Sequence, residues 1–114
     1  RKRAGHLFSK NRFLAAQMLA YLTDDLWLNL ARHANAMGAA LAAGLATIQS
    51  ATLRHPVEAN MLFPEWPAGT NARAFAKGAA FYDFPAPKGC EAARLVASWS
   101  TTETDVKNLI AALR

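Results

Sequence analysis

The fold of this chain is decided around residues 92–99, which read AARLVASW. Successive side chains of an extended strand point to opposite sides of the sheet. The pattern therefore divides the run into two sets, Ala93, Leu95, Ala97 and Trp99 against Arg94, Val96 and Ser98. The alternation predicts a strand, and one of its two sets includes an arginine.

Arg94 is the most informative polar residue of this strand. A guanidinium between apolar neighbours either faces solvent or finds an anionic partner, and the residues alone leave both readings open. Because its planar N–H groups match a carboxylate in a two-pronged arrangement, an arginine held on a strand is well suited to orient an amino-acid substrate.

Three helices are predicted from apolar residues at helical spacing. They cover residues 8–22, residues 26 to about 50, and the segment that begins near Thr102. Thr23, Asp24 and Asp25 offer capping oxygens to the second helix, and Thr102 with Asp105 resembles a capping box for the last. Two glycines of the second helix, Gly38 and Gly44, predict close packing against another surface.

Shorter elements lie between these helices. Residues 57–63 and 79–84 are predicted as strands, and residues 70–77 as a short helix that ends at Gly78. Pro64 and Pro67 are expected to break the first of these strands, because proline lacks an N–H donor. The order of elements predicts an α+β fold in which a small, mainly antiparallel sheet is covered on one side by helices.

Composition restricts the class of protein. One domain is expected from 114 residues with 53% hydrophobic content. Charges interrupt the apolar runs, so neither a membrane span nor a signal peptide is predicted. With Cys90 as the single cysteine, interpreted as a loop thiol, a reducing compartment and a cytoplasmic location are expected.

The net charge of +5 is concentrated in residues 1–12, which hold five basic residues and no acid. Such a cluster is a solvated terminus, a phosphate contact or a nucleic-acid contact. The chain begins within this charged run and without methionine. We expect that a further segment precedes it, and an artificial boundary is the alternative.

Motifs for other chemistry are missing from the sequence. His6, His33 and His55 are far apart, which predicts no metal site. Neither a dinucleotide-binding glycine motif, nor a P-loop, nor a serine-hydrolase motif occurs. Glu58 and Glu65 are interpreted as surface charges rather than an acid and base pair.

Several blocks of sequence resemble the low-specificity threonine aldolases, including phenylserine aldolase relatives. They occur in the same order and span nearly the whole chain: RKRAGHLFSK at 1–10, RFLAAQ at 12–17, DLWL at 25–28, ARHANAM at 31–37, EAN at 58–60 and RLVASW at 94–99. The resemblance implies the carboxy-terminal small domain of an aspartate aminotransferase-like enzyme that uses pyridoxal 5′-phosphate. Within it, residues 1–50 would border the active site and residues 51–114 would form the sheet-and-helix portion.

The resemblance also implies roles for individual residues. Arg94 would hold the substrate carboxylate, and Lys10 would contact the cofactor phosphate, either in its own subunit or in a neighbouring one. The lysine that binds the cofactor covalently belongs to the large domain of the family, upstream of the segment matching Arg1, so no catalytic residue is expected in this chain. The three histidines gain no catalytic role and are interpreted as structural or exposed.

The function implied is that of an aldolase that splits threonine or related β-hydroxy-α-amino acids into glycine and an aldehyde. This chain alone would be inactive, and its partners would be an amino-acid substrate, the amino-terminal large domain and further copies in a homo-oligomer. A β-eliminating lyase of the same fold is the first alternative. A non-enzymatic basic module that binds nucleic acid is the second.

Overall fold

The computed structural model of the chain describes residues 2–7 and 9–114. Arg1, from the basic cluster, and Phe8, at the expected start of the first helix, lie outside the described residues. The four α-helices found in the described residues are α1 (Arg12–Leu22), α2 (Leu26–Leu45), α3 (Thr70–Ala76) and α4 (Glu103–Leu113). The five strands found there are β1 (Thr52–Leu53), β2 (Met61–Leu62), β3 (Pro64–Pro67), β4 (Tyr82–Phe84) and β5 (Cys90–Val96).

The strand predicted over residues 92–99 is β5, which begins two residues earlier and ends three residues earlier than predicted, and it is the centre of the sheet. Trp99 therefore lies outside the strand, and its side chain is exposed. Ala92 pairs with Glu65 of β3 on one side and with Phe84 of β4 on the other. β2 pairs with the end of β5 on the same side as β3, and β1 extends the sheet beyond β3. All the pairings are antiparallel, as predicted.

Residues 57–63 were expected to form a strand that Pro64 and Pro67 end, and that expectation is wrong. Only Met61–Leu62 of that range is strand, and the two prolines are the first and last residues of β3. The register across β5 keeps one offset on both sides of Phe63, so β2 and β3 follow the same line. Pro64 has no N–H to donate, which accounts for the interruption between them, and strand ends tolerate proline.

The prediction that Cys90 lies in a loop is also wrong, because Cys90 is the first residue of β5. The strand predicted over residues 79–84 is shorter than expected and covers only its last three residues. Thr52 and Leu53 form a strand that the sequence did not suggest.

The second helix ends at Leu45, five residues before the predicted end. There the Thr47 hydroxyl donates to the Gly44 carbonyl at 2.7 Å, a local bond that competes with continued helix. Its start also differs from expectation, since no side-chain capping bond is found at Asp25 in the described residues. Asp24 and Asp25 instead take left-handed backbone angles, which aspartate tolerates better than most residues.

Helices cover one face of the sheet, where the core lies. Val106 and Ile110 of α4 and Leu41 and Leu45 of α2 pack with Leu95 of β5 in one buried cluster. The capping box predicted for α4 is present, with Thr102 and Asp105 exchanging bonds. The close packing predicted at Gly38 is confirmed, because a Cβ there would come within 2.9 Å of the Ala59 carbonyl oxygen.

The opposite side of the sheet, which we call the open face, carries no covering helix among the described residues. Its exposed or half-buried side chains include the apolar or aromatic Met61, Phe63, Tyr82, Phe84 and Val96 and the charged Glu65 and Arg94. α1 is exposed as well, and although it is described in full it buries none of its residues. The chain therefore presents two apolar surfaces to its surroundings.

Candidate functional site

Arg94 lies near the middle of the open face. Ala93 and Leu95, its neighbours in β5, are buried against the helices, so alternation turns the Arg94 side chain to the open side. It pairs directly across from Tyr82 in β4. Its guanidinium carbon lies 5.0 Å from the centre of the Tyr82 ring, within the range of a cation–π contact.

The acidic side chains nearest to Arg94 in the sheet bind other groups. Glu65 forms an ion pair with Arg54 at 2.6 Å, and Asp83 accepts a hydrogen bond from the Asn71 amide at 2.7 Å. Among residues 2–7 and 9–114, no ion pair of Arg94 with a carboxylate is found. Its positive charge is thus available to an anion from outside the described chain.

Glu91 belongs to the helix-covered side and is likewise occupied. Its carboxylate accepts bonds from the backbone N–H groups of Asn71 at 2.7 Å and Gly69 at 2.9 Å. These bonds to Asn71 and Gly69 favour the charged form and lower the pKa of Glu91 below its ordinary value of 4.5. Glu91 therefore holds the start of α3 against β5.

Arg94 also borders a cleft of about 270 Å³ at the edge of the sheet. The cleft opens between α2, α4 and the ends of β4 and β5, and apolar side chains such as Leu41, Phe81 and Leu109 form much of its lining. Asp105 reaches it too, but its carboxylate is bonded to Thr102, which lowers the pKa of Asp105. Among the residues that line this cleft, Arg94 is the one of basic type.

Lys10 lies in a different part of the structure. Its exposed side chain is in the turn before α1, next to other basic residues of the amino-terminal segment. Lys10 is not among the residues that form the cleft at Arg94. The chain by itself does not bring the two expected ligand-binding residues into one cavity.

His33, His55 and Cys90 each contact other parts of the fold. The His33 ring nitrogen Nε2 lies 2.7 Å from the Thr101 carbonyl oxygen and so connects α2 to the segment before α4. His55 packs edge-on against Phe63. Burial, and then the nearby Glu65 carboxylate, raise the pKa of the Cys90 thiol. Among the described residues, no three His, Cys, Asp or Glu side chains come together as metal ligands would. The helices found there include no candidate for a membrane span.

Sequence reasoning missed three features of this region. Glu65 is not a solvated surface charge, because it is half-buried and bonded to Arg54. Asn71 is buried and links Trp66 to Asp83. Tyr82 lies beside Arg94 because β4 pairs with β5. The sequence indicated only that the segment of Tyr82 is rich in aromatic residues. Cross-strand neighbours depend on register, which sequence spacing does not specify.

Comparisons with known proteins support one family. No protein-family model matches the chain. The chain is 39% identical over 113 residues to a low-specificity L-threonine aldolase of Pseudomonas aeruginosa, and equally similar to one from another Pseudomonas strain. It spans about a third of the length of these relatives, 32%, while the match covers 99% of the chain.

A solved structure agrees with the sequence comparison. The threonine aldolase of Leishmania major shares 30% sequence identity with the chain and superposes on it with a TM-score of 0.85. The superposition covers 98% of this chain and 32% of that protein. In sequence, the chain is therefore similar to about one third of a low-specificity L-threonine aldolase, and in fold to about one third of a threonine aldolase.

Proposed function

We propose that this chain is the carboxy-terminal portion of an aldolase that cleaves threonine or related β-hydroxy-α-amino acids into glycine and an aldehyde. The observation that carries the proposal is the similarity to low-specificity L-threonine aldolases over 99% of the chain, at 39% identity. The exposed Arg94, which no carboxylate of the described residues neutralises, adds chemical support. The activity belongs to the complete enzyme, because the chain spans only 32% of such a relative.

The carboxylate of the amino acid is the group that Arg94 binds in this proposal. Two parallel N–H bonds to a carboxylate fix both the position and the orientation of the substrate. Such orientation lowers the entropic part of the barrier to cleavage. Tyr82 of β4 pairs directly with Arg94 on one side, and β2 and β3 pair with the β5 residues that flank it on the other, so the backbone of Arg94 is part of the sheet.

Pyridoxal 5′-phosphate is the cofactor that the family implies, and the residues of this chain suit one end of it. Lys10 is an exposed cation in a segment without acidic residues, a combination that favours a phosphate. When bound, the cofactor would supply the electron sink for the carbon–carbon cleavage. By resemblance, the lysine that attaches it precedes the residues matched by Arg1, so none of the lysines here is assigned that role.

The remaining part of the enzyme is the partner that the exposed helix suggests. α1 carries large apolar side chains that are about half exposed or more, among them Leu14, Met18 and Leu19. A helix that is apolar around its circumference is normally enclosed by protein. We assign this surface to contact with the large domain of the same enzyme, with further copies in an oligomer completing the assembly.

The role of Arg94 is tested by Arg94→Lys in the full-length enzyme. Lysine keeps the charge but loses the planar pair of donors, so we expect kcat/KM for threonine to fall about 10- to 100-fold. Cofactor absorbance should stay unchanged, because Arg94 is not assigned to the cofactor. Arg32→Lys, on the exposed side of α2, is the matched control and should retain full activity.

Unchanged kinetics of Arg94→Lys would refute the carboxylate role. The reaction itself is tested by product analysis with threonine. Glycine and acetaldehyde support the aldolase, whereas ammonia and a keto acid would identify a β-eliminating lyase of the same fold and refute the proposal.

A further inference from the structure

Tyr82 is the side chain in contact with the Arg94 guanidinium. The two residues face each other across β4 and β5, and the guanidinium carbon is 5.0 Å from the ring centre. Tyr82 is 71% exposed, so little of its ring is used for packing in the core. A large aromatic ring that is exposed and yet paired with a cation suggests a role at the surface rather than in folding.

The contact leaves the hydrogen-bonding capacity of Arg94 intact. An ion pair would occupy the N–H groups and neutralise the charge, as Glu65 does for Arg54. A ring attracts the cation through its π electrons without accepting those N–H bonds in the guanidinium plane. Tyr82 can therefore restrict the side chain of Arg94 while its donors remain free for a carboxylate.

The other aromatic residue beside Arg94 is occupied elsewhere. The common register of β2 and β3 places Phe63, which lies between these two strands, opposite Arg94. The Phe63 ring lies 5.0 Å from that of Phe84 and packs against His55. Within the part of the chain that the structure describes, the guanidinium thus has one aromatic contact, with Tyr82 on the β4 side.

We propose that Tyr82 is a positioning residue that holds the Arg94 guanidinium in the orientation that binds the carboxylate of the amino acid. The proposal rests on the function assigned above and adds a residue to it. Holding the side chain before binding reduces the conformational entropy that binding would otherwise cost. We therefore expect Tyr82 to strengthen the binding only of ligands that have a carboxylate, because it acts through Arg94.

The test measures the dissociation constant of glycine from the full-length holoenzyme, through the change in cofactor absorbance. We compare Tyr82→Ala, Tyr82→Leu and Tyr82→Phe, since leucine keeps apolar bulk and phenylalanine keeps the ring. Loss of the ring should weaken glycine binding about 5- to 30-fold, and Tyr82→Phe should stay within about twofold of the parent. Phe84→Ala, on the same strand and face, is the matched control and should bind glycine normally.

A second arm separates this inference from the proposed function. If Tyr82 acts through Arg94, adding Tyr82→Leu to Arg94→Lys should change glycine binding by less than about twofold. Normal binding by Tyr82→Leu together with weak binding by Arg94→Lys would overturn the role of Tyr82 alone. Normal binding by Arg94→Lys would overturn the carboxylate site itself. If Tyr82→Leu and Phe84→Ala weakened glycine binding equally, the loss would come from a general disturbance of the open face, and the inference would also be overturned.

Discussion

Asn71 shows how a single buried amide can connect three elements. Its side chain is 7% exposed, and it is the second residue of α3. Its side-chain oxygen accepts a hydrogen bond from the Trp66 indole N–H at 2.7 Å. Its amide nitrogen donates to Asp83 of β4 at the same distance. One side chain thereby fixes α3 against strands on both sides of β5.

Asn71→Leu should destabilise the chain by about 1–3 kcal/mol, because the Trp66 N–H would lose its partner while the ring stays buried. The measurement is urea unfolding followed by tryptophan fluorescence. Asn35→Leu, at an exposed position of α2, is the control and should change the free energy of unfolding by less than about 0.5 kcal/mol. Equal effects at the two positions would contradict the bonding role of Asn71.

Arg94 illustrates what residue patterns can and cannot predict. Alternation of small and apolar residues was enough to place it on a strand, opposite to the buried set. Its contact with Tyr82 was not predictable, because the two residues are distant in sequence and meet only through the register of β4 on β5. The proposed carboxylate role of Arg94 remains a prediction for the kinetic experiment.

At the scale of elements, the sequence predicted helix ends best where the residues that fix them lie within one helical turn of each other. The Thr102 and Asp105 pair started α4 as predicted, and Gly78 ended the short helix α3 with a φ of 88°. Thr23 to Asp25 carried similar cap residues but formed a left-handed turn instead. A capping residue indicates a helix end only when the neighbouring chain takes the angles that the cap requires.

The contact between α3 and β5 should depend on pH through Glu91. Because folding lowers the pKa of Glu91, its contribution to stability is present above its ordinary value of 4.5 and is lost as the pH falls through the lower folded value. Glu91→Gln should be less stable than the parent at pH 7 and should lose less further stability in acid. Urea midpoints measured across this range are the test.

Glu103→Gln is the control for that experiment, since Glu103 forms an exposed pair with Lys107. It should keep the acid dependence of the parent, because surface pairs contribute little. If the Glu91→Gln chain lost stability in acid as steeply as the parent, the bonds to Gly69 and Asn71 would not be the source of that dependence.

At the scale of the whole molecule, the chain combines a packed core with a helix that contributes nothing to it. The core cluster joins α2, α4 and the covered side of the sheet, whereas α1 leaves Leu19 69% exposed. The molecule extends 54 Å along its longest axis and only 27 Å along its shortest. Such a form suits a part that packs against more protein.

Leu19→Gln tests whether α1 is exposed in the isolated chain but covered by the large domain in the full-length enzyme. In the isolated chain it should change the free energy of unfolding by less than about 0.5 kcal/mol, because Leu19 is already exposed. In the full-length enzyme it should destabilise by more than about 1 kcal/mol, because burying an unpaired amide is unfavourable. Chemical unfolding of both proteins gives the comparison.

Leu45→Ala is the reference for that test. Leu45 is 2% exposed, so its truncation should cost about 2–5 kcal/mol in the isolated chain and in the full-length enzyme alike. If Leu19→Gln had the same small effect in both proteins, the large domain would not cover α1.

The sequence by itself determined the features that depend on near neighbours along the chain. These are the helical stripes of α2 and α4, the alternation around Arg94 and the close packing at Gly38. The resemblance carried by blocks such as RLVASW at residues 94–99 likewise pointed to the family that the comparisons support.

Only the tertiary structure decided which of these elements meet. In the folded chain, β2 and β3 pair with β5 in one common register on either side of the Phe63–Pro64 interruption. Tyr82 contacts the Arg94 guanidinium, and Glu65 forms an ion pair with Arg54. The physical reason is that backbone propensity and periodicity act over a few residues, whereas strand register and the partners of charged groups are selected by burial across the whole fold.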